Sequence, residues 1–534
     1  MPPKISVTEL KKLIDQQASM ALMDVRERGE YYNAHIPNSH TVPRPQLERR
    51  MPALVTFRGT LIIVYDDDER RASLAAATLK LMGYDNVSVL EGGINRWASE
   101  GQPTEWGTYV QRRDFGARVR VEQKVPEMDA KELHDRLGRG EEIVILDTRT
   151  PEEHQKSCIP GSRCVPEGEL ALRIREIADD PEKTVVLHCA GWTRAYLGAS
   201  ALQRMGRKRV YALRNGTMGW LMAGLELEKG SQRIGLPDPS REGLAAAQAF
   251  AATISREDGV RYLDIKELRE QMARANQQNV YLIDVRSRGE FGQGHIPGFQ
   301  WFPGGQAVVL GDDVVILKDA TVVFCCDGRV RASVTASWHR QMGFPDVFAV
   351  DGGTSAWAAA GHTLEQGFPE VMPFGYSGAM EKVELISPLE LSTLTSGPYS
   401  PDVIFVDTSQ DFSRGHVPGA RWMPRGWLEM RIHEMAHLKD SDIIITCSDG
   451  INSVLAGATL RDLDYRKVSV LEGGMRAWCD AGLPVEKGLT GILSPPEDVV
   501  YTDIDRNWAE TIKVLQWEEE MGTRYQAAPT ETIR

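Results

Sequence analysis

Short continuous apolar runs recur along the chain and alternate with stretches whose apolar residues keep helical spacing. Residues 143–146, Thr184–His188 and Val210–Leu213 are three such runs. Continuous apolarity, without a polar face, is the pattern of strands buried on both sides in a parallel sheet. Residues 194–205 lie between the last two runs, carry apolar side chains at helical spacing, and stop at Gly206. The same grammar returns at 61–65, 322–325 and 443–446, each an apolar run followed by a short loop and a helical stretch. Strand, helix, strand in that order predicts a parallel α/β sheet. Ligands of such sheets bind beyond the carboxyl ends of the strands, where these loops sit.

Four copies of this grammar carry the same landmarks in the same order. An apolar run closes at Asp24, Asp147, Asp284 or Asp407. A turn follows: His35-Ile36-Pro37-Asn38, Cys158-Ile159-Pro160-Gly161, His295-Ile296-Pro297-Gly298 and His416-Val417-Pro418-Gly419. Next come the loops, Asp66-Asp67-Asp68-Glu69-Arg70-Arg71, Cys189-Ala190-Gly191-Trp192-Thr193-Arg194, Cys326-Asp327-Gly328-Arg329-Val330-Arg331 and Cys447-Ser448-Asp449-Gly450-Ile451-Asn452. A glycine turn leading to Trp97, Trp220, Trp357 or Trp478 closes each copy. Loop starts and tryptophans repeat at the same intervals, 123, 137 and 121 residues. That period is the size of a whole domain, roughly 100–150 residues, and too long for a solenoid unit.

We therefore expect four tandem domains at 1–110, 123–230, 261–366 and 380–488, a linker at 231–260, and a tail at 489–534. The surplus of the middle interval falls in 230–261, where Pro237, Pro239 and Gly243 precede an Ala-rich stretch at 244–254. A two-domain unit duplicated once explains it, so copies one and two, and copies three and four, are expected to pair. Residues 508–521 read as one amphipathic helix packed on its own domain, with a frayed end at 526–534.

Charge narrows the partners. The 534 residues carry a net charge of −13, and an acidic surface repels phosphate backbones, which argues against nucleic acid. No run of 18 apolar residues argues for a membrane span, and the start lacks the pattern of a signal peptide. Seven cysteines in no spaced framework suit free thiols in a reducing cytoplasm.

Three of those cysteines, Cys189, Cys326 and Cys447, open a loop that enters a helix. Backbone N–H groups at a helix start lack intrahelical partners and sit at the positive end of its dipole. A thiol placed there is expected to shift toward thiolate, the nucleophilic form. Arg194 and Arg331 close two of the loops and suit a forked contact to an anionic substrate, with Arg329 adding charge in the third copy. Gly191, Gly328 and Gly450 are expected to supply the tight or left-handed backbone of a cradle. Trp192 reads equally as a pocket wall or a surface cap. Cys325 reads as a core residue at its strand end, and Cys158, Cys164 and Cys479 as incidental. The chemistry suited to the loops is attack on an anion's sulfur or phosphorus through a covalent cysteine intermediate.

Asp24-Val25-Arg26, Asp147-Thr148-Arg149 and Asp284-Val285-Arg286, followed by the His-Ile-Pro turn, the cysteine loop and the glycine turn to tryptophan, resemble the rhodanese (sulfurtransferase) family across most of the chain. The resemblance implies four rhodanese-like α/β domains, each a small parallel sheet flanked by helices. It implies that the loop cysteine takes a sulfane sulfur from thiosulfate or a similar anion, becomes a persulfide, and passes it to cyanide, a thiol or a protein acceptor. No metal or organic cofactor is implied. By the same resemblance the nucleophile falls on Cys189, Cys326 and Cys447, though in the last copy Asn452 replaces the arginine and Ser409 replaces the one after Asp407. The first copy has Asp66 at that position, in an acidic run that would repel an anion, and is expected to be inactive. The aspartate and arginine after the first long strand are expected to scaffold the loop. A persulfide relay or sulfur carrier with little thiosulfate turnover is the alternative. Arsenate reductase or phosphatase chemistry is a lesser one, since related phosphatase-like members use a longer loop.

Overall fold

The computed structural model describes residues 2–398, 400–492 and 495–526. Four five-stranded parallel sheets are present, one per copy, and all have the same order, 1-5-4-2-3, counting strands within the copy. In the second copy the strands are Glu127–Met128, Ile143–Asp147, Arg163–Cys164, Thr184–His188 and Val210–Leu213. The middle strand, Thr184–His188, pairs with Ile143–Asp147 from Ile143↔Thr184 to Asp147↔His188, and every one of its residues is buried. Helices cover the sheet on both faces, as an all-parallel sheet requires.

The landmarks acquire physical reasons here. Each tryptophan ring N–H donates to a carbonyl six residues on, from Trp97 to Pro103 at 2.8 Å and from Trp220 to Glu226 at 3.0 Å. That bond holds the end of the copy, where His35 bridges Glu105 and Cys158 bridges Glu228. Arg149 forks onto Asp147, with Nε–Oδ1 at 3.0 Å and Nη2–Oδ2 at 2.8 Å, and also donates to the Ser157 carbonyl just before the turn. Arg286 repeats this with Asp284 and the Gly294 carbonyl. These arginines tie the strand to the turn, whereas the scaffolding expected of them was of the cysteine loop.

The chain forms two compact units, and they do not pair the copies as expected. One unit holds Met1–Thr108 and Glu370–Val500, the first and fourth copies. The other holds Tyr109–Pro369 and Tyr501–Arg534, the second and third copies with the tail. Within the first unit, Arg44 pairs with Glu429 and Arg425 with Glu48, joining matching segments of the two copies. Within the second, Gly168 lies so close to Gly304 that a Cβ on it would come within 3.1 Å of the Gly304 Cα.

Two other expectations change. Residues 231–260 are not merely a linker: they contain the helix Arg241–Asp258, capped by Ser240, whose hydroxyl accepts from Gly243 N at 3.1 Å. Its apolar face, Ala247, Phe250, Ala251 and Ile254, is buried between copies two and three. The gap before copy two likewise forms a helix, Val110–Glu122. The tail helix is longer than expected, Trp508–Gln526, and packs on Val110–Glu122, not on its own copy. Residues 527–534 of the expected frayed end lie outside the described residues. Among the described residues no helix is long and apolar enough to cross a membrane.

Candidate active site

Each loop leaves the middle strand of its sheet. Its first carbonyl is clamped by the glycine turn: Thr217 N donates to Cys189 O at 2.9 Å and Thr354 N to Cys326 O at 2.9 Å. The turn's last glycine must be glycine. A Cβ on Gly216 would lie 2.1 Å from Cys189 O, one on Gly353 2.0 Å from Cys326 O, and both residues have positive φ. The sequence displayed these glycines only as landmarks; the structure sets them against the carbonyl of the loop's first residue.

Loop N–H groups converge on the first side chain. In copy one, Asp66 Oδ1 accepts from Asp68 N at 3.2 Å and Glu69 N at 2.6 Å, and Oδ2 accepts from Arg71 N at 2.6 Å. In copy four, Cys447 Sγ accepts from Gly450 N at 3.1 Å and Ser453 N at 3.3 Å. The N–H groups of Gly191 and Ala195 favour the thiolate of Cys189, and those of Gly328 and Ala332 that of Cys326.

These donors do not prevail in the resting protein. Cys189 is 3% exposed and Cys326 and Cys447 are fully buried, and burial disfavours a bare thiolate. Burial pushes the Cys326 thiol up to about 11 against the pull of Arg331. It pushes Cys447 to about 12, with Asp407 adding to the rise. Cys189 moves the same way, with Arg194 opposing. The expected shift toward thiolate is therefore reversed.

The loop backbones fall into two kinds. Glu69 and Gly450, each the fourth residue of its loop, are left-handed, with φ of 81° and 89°. The equivalent Trp192 and Arg329 have φ of −121° and −128°. Gly191 and Gly328 have no positive φ, so of the three loop glycines expected to supply a tight or left-handed backbone only Gly450 is left-handed.

The closing arginines are corrected as well. Arg194 forks onto Glu153, with both N–O distances 2.7 Å. Arg331 forks onto Glu290 at 2.6 and 2.8 Å, and also meets Asp327 at 2.8 Å and, from copy two, Glu169 at 2.6 Å. Burial raises Glu153 and Glu290, but the arginine forks and helix-start hydrogen bonds overcome it and bring both to about 2. The terminal nitrogens of both arginines thus already hold carboxylates, and these pairs brace the loop. The Nε of Arg331, buried, has no acceptor among the described residues. Both glutamates also close capping boxes, Thr150 with Glu153 and Ser287 with Glu290, so one side chain starts a helix and anchors the loop.

Two other expected substrate contacts are redirected. Trp192 is 4% exposed; its ring N–H donates to Asn215 Oδ1 at 2.8 Å and the Arg120 guanidinium lies 4.1 Å above its ring. It is a core residue. Arg329 is half exposed and turned onto Asp351 at 2.5 Å. In copy four, Asp407 has no arginine fork; it accepts from Ser448 N and Asn452 Nδ2, both at 2.7 Å, and Ser409 bonds Asp498. A cavity of about 150 Å³ lies between copies two and three, walled by Arg149, Glu167, Arg194, Arg286 and Trp301; no loop cysteine lines it. Among the described residues no group of three or more His, Cys, Asp or Glu is arranged to hold a metal ion.

Fold and loop together define a tandem array of α/β domains, each presenting one side chain, most often a cysteine, inside a ring of loop N–H groups. The profile of the Rhodanese-like domain matches residues 6–100, 129–223, 264–360 and 392–481, and the chain belongs to that family. It is 33% identical to a sulfurtransferase of Allochromatium vinosum over 103 residues, 19% of this chain and 94% of that protein. It is 39% identical to the human centrosomal protein of 41 kDa over 80 residues, 14% of this chain and 21% of that protein. Among solved structures it resembles a thiosulfate sulfurtransferase from Pseudomonas aeruginosa, with 32% identity, a TM-score of 0.89 and 98% of each chain covered.

Proposed function

We propose that this protein is a sulfurtransferase that carries a sulfane sulfur as a cysteine persulfide, with Cys326 as its principal thiol. The observation that carries the reading is the ring of loop N–H groups. In copy one the same ring holds a carboxylate, that of Asp66, through three N–H donors. A site that holds an anion when aspartate stands there suits a persulfide anion when cysteine does. The likeness to a thiosulfate sulfurtransferase over nearly the whole chain supports thiosulfate as donor.

The Cys326 thiol first gives its proton to water or hydroxide. The thiolate attacks the outer sulfur of thiosulfate, an S–S bond forms, and the bond to the sulfonate sulfur breaks. Sulfite leaves with that electron pair. Cyanide or a thiolate then attacks the outer persulfide sulfur and returns the Cys326 thiolate, releasing thiocyanate or a new persulfide. The loop N–H groups stabilise the anion on sulfur at both stages.

The test is peptide mass spectrometry after brief thiosulfate treatment without reductant, then with cyanide. A one-sulfur adduct on Cys326 that cyanide removes is the expected result. No adduct on any loop cysteine, with the protein folded and its thiols free, overturns thiosulfate as donor.

A further inference from the structure

At its third residue the Cys189 loop is covered by another element, and the Cys326 loop is not. A Cβ on Gly328 would meet nothing within 4 Å. A Cβ on Gly191 would lie 3.4 Å from Glu518 Oε2 and 3.9 Å from Leu515 Cδ2. Both belong to the helix Trp508–Gln526, which follows copy four in sequence yet lies against copy two. Its inward face comprises Thr511, Val514, Leu515, Glu518, Met521 and Gly522. Glu518 is thus a carboxylate on a mainly apolar face, only 4% exposed, and burying a charge is costly without a specific partner.

Its partner is Arg113, on the helix Val110–Glu122. Neighbouring charges repeat the theme: Glu519 meets Arg120 at 3.2 Å and Arg214 at 3.5 Å, and Arg120 covers the Trp192 ring. The acidic side of the terminal helix therefore docks on the basic rim of the Cys189 loop. The consequence for the thiol is electrostatic, since Glu518 opposes its ionisation. In copy three Asp327 likewise opposes ionisation of Cys326, but it is half exposed and screened by water, whereas Glu518 is buried.

We propose that Glu518, carried by the terminal helix, is a specificity-determining residue that bars anionic sulfur donors from Cys189 and leaves them to Cys326. An unfavourable charge within a few ångströms of a dianion's path, partly shielded from water, reduces its approach by roughly tenfold or more. Uncharged electrophiles feel no such term. The consequence for thiosulfate rests on the sulfurtransferase reading; the charge filter itself does not.

The full-length protein is treated separately with iodoacetate and iodoacetamide, and alkylation of Cys189 and Cys326 is followed by peptide mass spectrometry. The two reagents share one electrophile and differ in charge, so the ratio of their rates cancels differences in thiol ionisation. In the native chain the anion-to-neutral ratio is expected to be roughly tenfold lower at Cys189 than at Cys326. Glu518→Gln raises it at Cys189 by a similar factor and leaves Cys326 unchanged. Equal ratios at the two cysteines of the native chain overturn the proposal without any variant, and so does a Cys189 ratio unmoved in folded Glu518→Gln. With thiosulfate, the native chain takes sulfur on Cys326, and Glu518→Gln gains it on Cys189. Sulfur on neither cysteine with the alkylation contrast intact removes the donor reading and leaves the filter standing. Equal sulfur on both in the native chain removes the filter and leaves the donor reading.

Discussion

The loops of copies one and four and those of copies two and three grow from the same strand and enter the same helix, yet they handle charge differently. In copies one, two and three the closing arginine, Arg71, Arg194 or Arg331, forks onto a helix-start glutamate, Glu30, Glu153 or Glu290, and in copies two and three its charge reaches the cysteine. In copy four Asn452 stands in its place, and the nearby charges on Cys447, Asp407 and Asp449, oppose ionisation. In copy one the ring of N–H groups is filled by the protein's own carboxylate. The difference teaches that N–H geometry alone does not make a sulfur site here. For the proposed sulfur transfer an arginine must also oppose the burial of the thiol, as Arg194 and Arg331 do and Asn452 does not.

The sharpest way to break that contrast is to remove the thiols one at a time. Cys326→Ser is expected to lower thiosulfate-to-cyanide turnover by roughly a hundredfold or more, as loss of a covalent nucleophile does. Cys189→Ser and Cys447→Ser are expected to stay within about twofold. Steady-state rates of the three variants decide it, and a large loss in Cys189→Ser would mark a relay in which the thiols act in series.

pH gives a comparably large effect. Since burial holds the Cys326 thiol near 11, its thiolate fraction climbs about tenfold per pH unit below that value. Iodoacetamide labelling of Cys326 should rise roughly a hundredfold from pH 7 to 9 and not level off by pH 9. A plateau near pH 7 would mean that the loop donors and Arg331 outweigh burial.

A smaller effect concerns the brace. Glu290→Gln leaves Arg331 with Asp327 and Glu169 but removes its fork, which should cost about 1–3 kcal/mol of stability, read from urea unfolding. The sign of the pH dependence follows from the direction of the shift. Glu290 titrates at about 2 in the folded protein, below its ordinary value of 4.5. Its contribution is therefore complete above about 4.5 and is lost as pH falls toward 2. The native chain should lose stability faster than Glu290→Gln over that interval.

How much of this the chain displayed depends on sequence distance. Continuous apolar runs and the fourfold register were enough for the sheets, because burial on both faces leaves a direct mark on strands such as Thr184–His188. The loop cysteines and their place after the middle strand were visible through the register of the copies. The arginine partners were not: Glu153 lies 41 residues before Arg194, and its capping pattern reads only as a helix start. The pairing of copies was misread because tandem order says nothing about which faces are complementary, and Arg44–Glu429 spans 385 residues. For the same reason the terminal helix, amphipathic in sequence, gave no sign that its buried face carried Glu518 to another copy's loop.

The smallest expected effect tests the self-filled ring of copy one. Its acidic run was expected to repel anions, but the side chains are spoken for: Asp67 pairs with Arg26 and Arg71, Asp68 with Arg70, and Glu69 with Lys4. Asp66→Ala removes the carboxylate and leaves three N–H donors without their acceptor, at a cost of about 1–3 kcal/mol. Because the surrounding acids are paired, added sulfate should recover part of that loss by entering the vacated ring. Sulfate also stabilises folded proteins generally by exclusion from their surface, so the quantity to compare is the rise in Tm of Asp66→Ala beyond that of the native chain. An excess of about a degree or more, saturating with sulfate concentration as binding requires, would make copy one an anion ring that carries its own anion. Equal rises in the two proteins would mean that the ring holds only a covalently tethered group, and the inference from Asp66 to a persulfide at Cys326 would lose its footing.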